Sequence, residues 1–205
     1  MATDVTDDIP TDAELLTGLS DDRGRRQTGT LPYLGHVARL DALERALRAA
    51  DRWRLPHPWL TTFVGDSAVE AVVADELDRL DPVDLGLPFG QVVLSPIRRR
   101  AVTTPMLRLP VDELCHAFNL VRFPATDDVA EIDRLVAANR GIYERVRDAG
   151  GTLYPASAAL PMSGDDWEQH FGPVFSGFRR AKRAFDPGHV LTPGYAVFGE
   201  ERRRR

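Results

Sequence analysis

A chain of 205 residues, 43% hydrophobic and 28% charged, has the length for a substantial core and the composition of a globular protein. A formal net charge of -5 excludes the basic footprint of a nucleic-acid-binding protein, and the lone cysteine, Cys115, excludes an internal disulfide or a CxxC metal or redox site. No apolar run reaches transmembrane length, and the acidic, polar start from Met1 to Thr11 lacks the features of a secretory signal, so the chain is expected to be cytoplasmic, with neither membrane nor nucleic acid as partner.

Residues 1–30 read as an acidic, polar N-terminal segment, partly disordered, with a short helix from Ala13 to Leu19. From Leu34 to Arg54, Val37, Leu40, Leu43, Leu47 and Ala50 recur at spacings of three and four, which predicts one amphipathic helix stopped by Pro56 and Pro58. Trp59 to Val64 follows as a strand, with Trp59, Thr61 and Phe63 on one face and Leu60, Thr62 and Val64 on the other. Ser67-x-x-Glu70 reads as a capping box for a helix that buries Val69, Val72, Val73, Leu77 and Leu80. Gln91 to Ile97 and Leu114 to Phe123 read as buried strands, with Met106 to Leu109 as an edge strand between them. Asp127 or Asp128 caps a long helix that ends at Gly150-Gly151, and Ser163-Gly164-Asp165-Asp166 opens a helical region around Trp167, Phe171, Phe175, Phe178 and Phe185.

Two β-α units in a mostly antiparallel sheet, with helices packed on one face, make an α+β fold resembling a split β-α-β. The expected organisation is a segment at 1–30, a main domain at 31–185, and an extended C-terminal tail with a basic terminus at 186–205.

The residues on their own define no complete active site. His36, His57, His116, His170 and His189 are scattered without metal-ligand spacing, no phosphate-binding glycine motif is present, and Ser95 has no GxSxG around it.

Four stretches in order carry a resemblance. They are Pro56-His57-Pro58-Trp59-Leu60, Gln91-Val92-Val93-Leu94-Ser95-Pro96, Trp167-Glu168-Gln169-His170-Phe171-Gly172, and the run from Lys182 to Gly194 containing Phe185-Asp186-Pro187 and Leu191-Thr192-Pro193-Gly194. Together they resemble the C-terminal, substrate-binding half of cytokinin dehydrogenases and related FAD-linked oxidases of the vanillyl-alcohol oxidase type, from roughly Asp12 to Phe198. The resemblance implies that Trp59 flanks a planar substrate, that Thr61, Ser95 and Leu120 line its pocket, and that Pro193, Gly194 and Tyr195 approach the flavin of FAD. It implies oxidation of a small secondary amine by hydride transfer to flavin, together with a separate FAD-binding domain protein, because the family's FAD-binding domain is expected to be absent from this chain. No catalytic residue is assigned.

The chain departs from the family at Thr61, where asparagine is usual, at Ser95, where tyrosine is frequent, and at Tyr195, where glutamine is usual. The tail from His189 to Phe198 is expected to lack its docking surface, leaving an apolar patch around Trp59, Tyr154 and Tyr195. A non-catalytic remnant or ligand-binding module of the same fold is the alternative, and a purely structural domain the third reading.

Overall fold

The computed structural model describes residues 10–20, 22–26, 28–188, 190–191 and 195–198. Its contacts divide the chain into two units, Met1–Glu44 and Arg45–Arg205.

In the first unit, Thr11 and Glu14 form a capping box for α1 (Asp12–Leu15). The predicted 34–54 helix is divided into α2 (Tyr33–Val37), a tight turn at Ala38–Leu40, and α3 (Asp41–Ala49), whose residues from Arg45 onward belong to the second unit. The intervening 3-10 turn changes the angular step between side chains, which breaks the single stripe read from the sequence. Val37 and Leu40 are therefore exposed while Leu47 is fully buried. Asp51, at a φ of +55°, stops α3 short of Pro56.

The second unit contains β1 (Leu60–Gly65), α4 (Val69–Arg79), α5 (Pro82–Leu85), β2 (Gln91–Arg98), β3 (Leu114–Val121), α6 (Val129–Asp148), β4 (Thr152–Leu153), α7 (Gly164–Phe171) and α8 (Phe175–Phe185). The sheet order is β2-β3-β1-β4 and every pair is antiparallel. Each of α4 and α6 carries the chain between strands that are not sequential neighbours in the sheet, which is the split β-α-β-β-α-β arrangement. The α+β expectation is met, with the predicted edge strand at Met106–Leu109 replaced by β4. Met106 instead packs against a second aromatic cluster.

Alternation along the strands gives the sheet two different faces. Leu60, Val64, Phe118, Leu120 and Leu153 form the main core with Ile142, Tyr143 and Val146 of α6, and Val69, Val72 and Val73 of α4 pack against it. Burial of each such aliphatic or aromatic side chain stabilises the fold by about 1.5–3 kcal/mol. The α4 stripe differs from expectation at its C-terminal end. Leu77 is half exposed, while Glu76 is buried and accepts two hydrogen bonds from Arg145 of α6, at 2.6 and 2.7 Å. The predicted Ser67/Glu70 box is also absent, because the Asp112 carboxylate takes both the Ser67 N–H (2.8 Å) and hydroxyl (2.7 Å).

Asp128 caps α6, and Gly150, at a φ of +81°, turns the chain out of it. Gly151 passes so close to β1 that a Cβ there would lie 2.6 Å from the Phe63 carbonyl oxygen. The second cluster joins Trp167 and Phe171 of α7 to Phe175 of α8, with Met106, Met162, Phe178, Val197 and Phe198 around it. Ser163 and Asp166 cap α7 reciprocally, and Arg140 of α6 grips the same Asp166 carboxylate at 2.8 and 2.9 Å. These bonds hold the Asp166 carboxyl well below its ordinary range.

Candidate functional site: an aromatic cleft beside the Trp59 strand

Two prolines force an extended path through Pro56–Pro58, and Trp59 lies just before β1 rather than inside it. Beyond β4 the chain continues alongside this segment. The Tyr154 N–H donates to the Thr61 carbonyl at 2.9 Å and the Ala159 N–H to the Trp59 carbonyl at 2.7 Å. Between these two bonds, residues 155–159 form a wall facing Trp59. A cleft of about 330 Å³ results, lined by His57, Trp59, Ser157, Ala158, Ala159 and Tyr195, with Pro155 and Ala156 at its side.

The Trp59 ring is fixed on several sides. His57 stacks parallel to it, with centroids 5.9 Å apart and planes at 8°, and Phe123 meets it edge-on at 5.7 Å. Its Nε1–H donates to the Arg122 carbonyl at 2.9 Å. Behind it, the fully buried Asn139 of α6 donates its amide to the carbonyls of Pro58 (3.2 Å), Trp59 (3.4 Å) and Ala159 (2.9 Å), and its oxygen accepts from Arg122 Nη1. One amide thus ties together both walls of the cleft. Arg122 is itself 1% exposed, and burial pushes its guanidinium pKa down. Among the described residues its Nε has no partner.

Tyr195 reaches the cleft from the C-terminal tail. Trp167 Nε1–H donates to the Tyr195 carbonyl at 3.0 Å, and the two rings meet at right angles. Upstream, Asp186 receives Lys182 Nζ and the N–H groups of Val190 (2.9 Å) and Leu191 (3.0 Å), which lowers its pKa to about 2. The described tail residues Val190, Leu191 and Tyr195 thus each accept or donate a backbone hydrogen bond within this chain.

Of the residues expected to form the site, Trp59 and Tyr195 meet in the cleft. Thr61 lies behind the wall, 8% exposed, and reaches the cleft only through Ser157, whose hydroxyl is 2.7 Å from its own. Ser95 is on β2 opposite Ala117, on the sheet face that also carries Thr61, and is not among the lining residues. Leu120 is a correction: it alternates onto the opposite face, is 2% exposed, and packs in the main core with α6. Pro193 and Gly194 lie outside the described residues. Sequence reasoning missed Ser157, Asn119 and Asn139. The visible signal was an asparagine inside each of two otherwise buried segments, since a buried amide must find hydrogen-bond partners.

Two other surface depressions, one lined by Arg99, Arg100, Leu109 and Glu113 and one by Asp66, Ser67, Arg98 and Asp112, gather mixed charges and none of the expected site residues. Among the described residues no cluster of metal-ligating side chains forms, and no helix is long and apolar enough to cross a membrane.

The cleft offers a flat, aromatic-walled recess, which suits one face of a planar ring system. The family described as "Cytokinin dehydrogenase 1, FAD and cytokinin binding" matches residues 5–198. An oxidoreductase of Rhodococcoides fascians, named "Uncharacterized oxidoreductase ORF5 in fasciation locus", is 33% identical over 92% of this chain and 42% of its own length. Cytokinin dehydrogenase 8 of Oryza sativa subsp. indica is 29% identical over 81% of this chain and 32% of its own length. Cytokinin dehydrogenase 7 of Oryza sativa subsp. japonica is 28% identical over 90% and 34% respectively. The chain is thus an oxidoreductase-family domain. More narrowly, it belongs to the cytokinin dehydrogenase family, and it spans less than half the length of these relatives.

The FAD implied by this family fits the described residues in part. The cleft can receive a flat ring, but the turn where a phosphate would be sought, from Gly65 at the end of β1 into α4, is filled. A Cβ on Gly65 would lie 2.6 Å from the Asp112 carboxylate, which already occupies the Ser67 N–H. An anion in that place repels a phosphate.

Proposed function

We propose that this chain is the substrate-binding part of an FAD-dependent oxidoreductase that oxidises a small planar secondary amine, working with an FAD-binding domain either tethered to it or carried by a separate protein. The observation that carries this reading is the meeting of Trp59 and Tyr195, from opposite ends of the family resemblance, across one aromatic cleft. Trp59 would hold the substrate ring face-on, His57 and Phe123 would keep that indole from turning, and Ser157 would meet the substrate edge. Pro193, Gly194 and Tyr195 would approach the flavin ring, with its phosphates held outside the described residues. FAD, when bound, would supply the hydride acceptor for the C–H beside the amine nitrogen. The chain's own contribution is binding, orientation and exclusion of water.

A second reading, a ligand-binding module without chemistry, is favoured by the seating of Tyr195 through Trp167 and Asp186 from within this chain. Proton–nitrogen correlation spectra of the chain titrated with an N6-substituted aminopurine, followed by visible absorption with added FAD, test both readings. A saturable shift of the Trp59 indole signal without a bound-flavin spectrum is expected for the chain alone, and turnover should appear when an FAD-binding domain is supplied. Binding without turnover in that mixture would leave the second reading. A Trp59 signal that no amine moves, even with the FAD-binding domain present, would overturn both.

A further inference from the structure

The donors next to Ser157 are spent in an order that the bond partners fix atom by atom, with the Tyr195 hydroxyl on the far side of the cleft. Asn119 of β3 stands opposite Thr61 of β1 in the register. Its Nδ2 lies 3.1 Å from the Val93 carbonyl and 3.2 Å from the Ala117 carbonyl. Carbonyls only accept, so the amide nitrogen must be the atom facing them, and Oδ1 must face Thr61. Oδ1 also only accepts. The Thr61 hydroxyl, 2.8 Å away, therefore donates its single proton to it. The Ser157 hydroxyl is 2.7 Å from the Thr61 oxygen, whose proton is already committed, so Ser157 must donate in turn. The Ser157 oxygen is left with lone pairs only, on the wall of the cleft.

The neighbouring groups follow the same pattern. The N–H groups of Ser157 and Ala158 go to Tyr154 and Pro155 carbonyls, and that of Ala159 to Trp59. Trp59 Nε1–H is held by Arg122, and His57 Nε2, 3.2 Å from the Arg52 carbonyl, is the donor of that bond.

Resting on the reading of this cleft as a substrate site, we propose that Ser157 is a specificity-determining residue, fixed as a hydrogen-bond acceptor by the Asn119–Thr61 pair, and that the cleft selects planar ligands carrying an N–H donor on the edge that meets it. A ring of the same shape with its nitrogen methylated forfeits the bond and leaves the serine lone pairs desolvated.

The test compares benzimidazole with 1-methylbenzimidazole on the full chain, following the Trp59 indole signal, identified by its loss in Trp59→Phe. Benzimidazole should bind at least about fivefold more tightly, the worth of one ordinary hydrogen bond. Thr61→Val frees the Ser157 proton, so it should gain affinity for 1-methylbenzimidazole, whose remaining ring nitrogen only accepts. Ser157→Ala should lose the preference without that gain. A merely structural role for Thr61 predicts loss for both probes. Equal binding of the two probes to the wild type, with Trp59 shifted by each, overturns the acceptor assignment and leaves the cleft intact. No shift with either probe overturns the assignment together with the cleft reading. The wild-type comparison decides the matter even where Thr61→Val does not fold.

Discussion

Two polar clusters flank the Trp59 segment, and they differ in where their hydrogen bonds end. Around Asn139, every bond terminates inside the protein: the two amide protons are shared among three backbone carbonyls, and the oxygen accepts from the buried Arg122. Around Asn119, the donations run inward, from Ser157 on the cleft wall through Thr61 to Asn119 Oδ1, and leave the serine oxygen as an unspent acceptor. Both clusters contain a satisfied asparagine, so burial of a polar group does not by itself mark a site. A closed network serves geometry, whereas a network that ends on an unspent lone pair at a surface recess can read a ligand.

Asn139→Ala is the strongest test of the closed cluster. It takes the amide from the Pro58, Trp59 and Ala159 carbonyls and the close acceptor from Arg122 Nη1, with Trp59 keeping the Ala159 N–H and Nη1 keeping the Leu135 carbonyl at 3.4 Å, and should cost about 2–3 kcal/mol in urea unfolding. It should also abolish the response of Trp59 to ligand, because both cleft walls hang on that amide. A loss below about 1 kcal/mol would mean that the network is redundant and that the two clusters are not different in kind.

His170 is a buried polar group belonging to neither cluster, and it sharpens the distinction through pH. It is 8% exposed, its Nε2 has no partner among the described residues, and burial, with Arg108 as a lesser cause, pushes its pKa from 6.5 down to about 4. The unfolded chain then binds a proton below about pH 6.5 that the folded chain refuses until about pH 4. Stability must therefore fall as pH drops through that window, by about 2 kcal/mol between about pH 7 and about pH 5. The depressed Asp186 acts in the same direction only at lower pH, between 3.8 and about 2. His170→Phe should flatten the upper part of the profile and leave the lower part, which urea midpoints at both pH values would show.

The fold was largely legible because the apolar, β-branched run Leu60–Val64 is buried throughout, Leu114–Val121 is largely buried, and the three-four spacing in α4 and α6 reports their core faces. Leu120 shows the limit of a resemblance: a family role attaches to a position, whereas strand alternation puts Leu120 on the face opposite Thr61 and Asn119. Ser157 was illegible in a different way. It sits in an irregular segment with no motif, and it acquires its role from a bond to a residue 96 positions earlier. The capping box at Ser67 failed for a similar reason, since a distant carboxylate, Asp112, outcompeted the local one. Local patterns report elements well, but they are blind to which distant side chain arrives at a given donor.

The smallest expected effect concerns the tail wall of the cleft. Trp167→Phe keeps a ring beside Phe171, which stacks on Trp167 with planes at 19°, and removes only the Nε1–H that holds the Tyr195 carbonyl. Tyr195 is 45% exposed, so water can replace the lost donor and the cost in stability should be about 1 kcal/mol or less. Affinity in the cleft should respond more than stability does, because a wall that is free to swing no longer pre-organises the recess. A several-fold loss of probe binding at near-unchanged stability would show that Trp167 positions Tyr195 for the ligand. Unchanged binding would show that the Asp186 turn, with its bonds to Val190 and Leu191, holds the tail unaided, and the open cluster would then be the only ligand-reading element of the cleft.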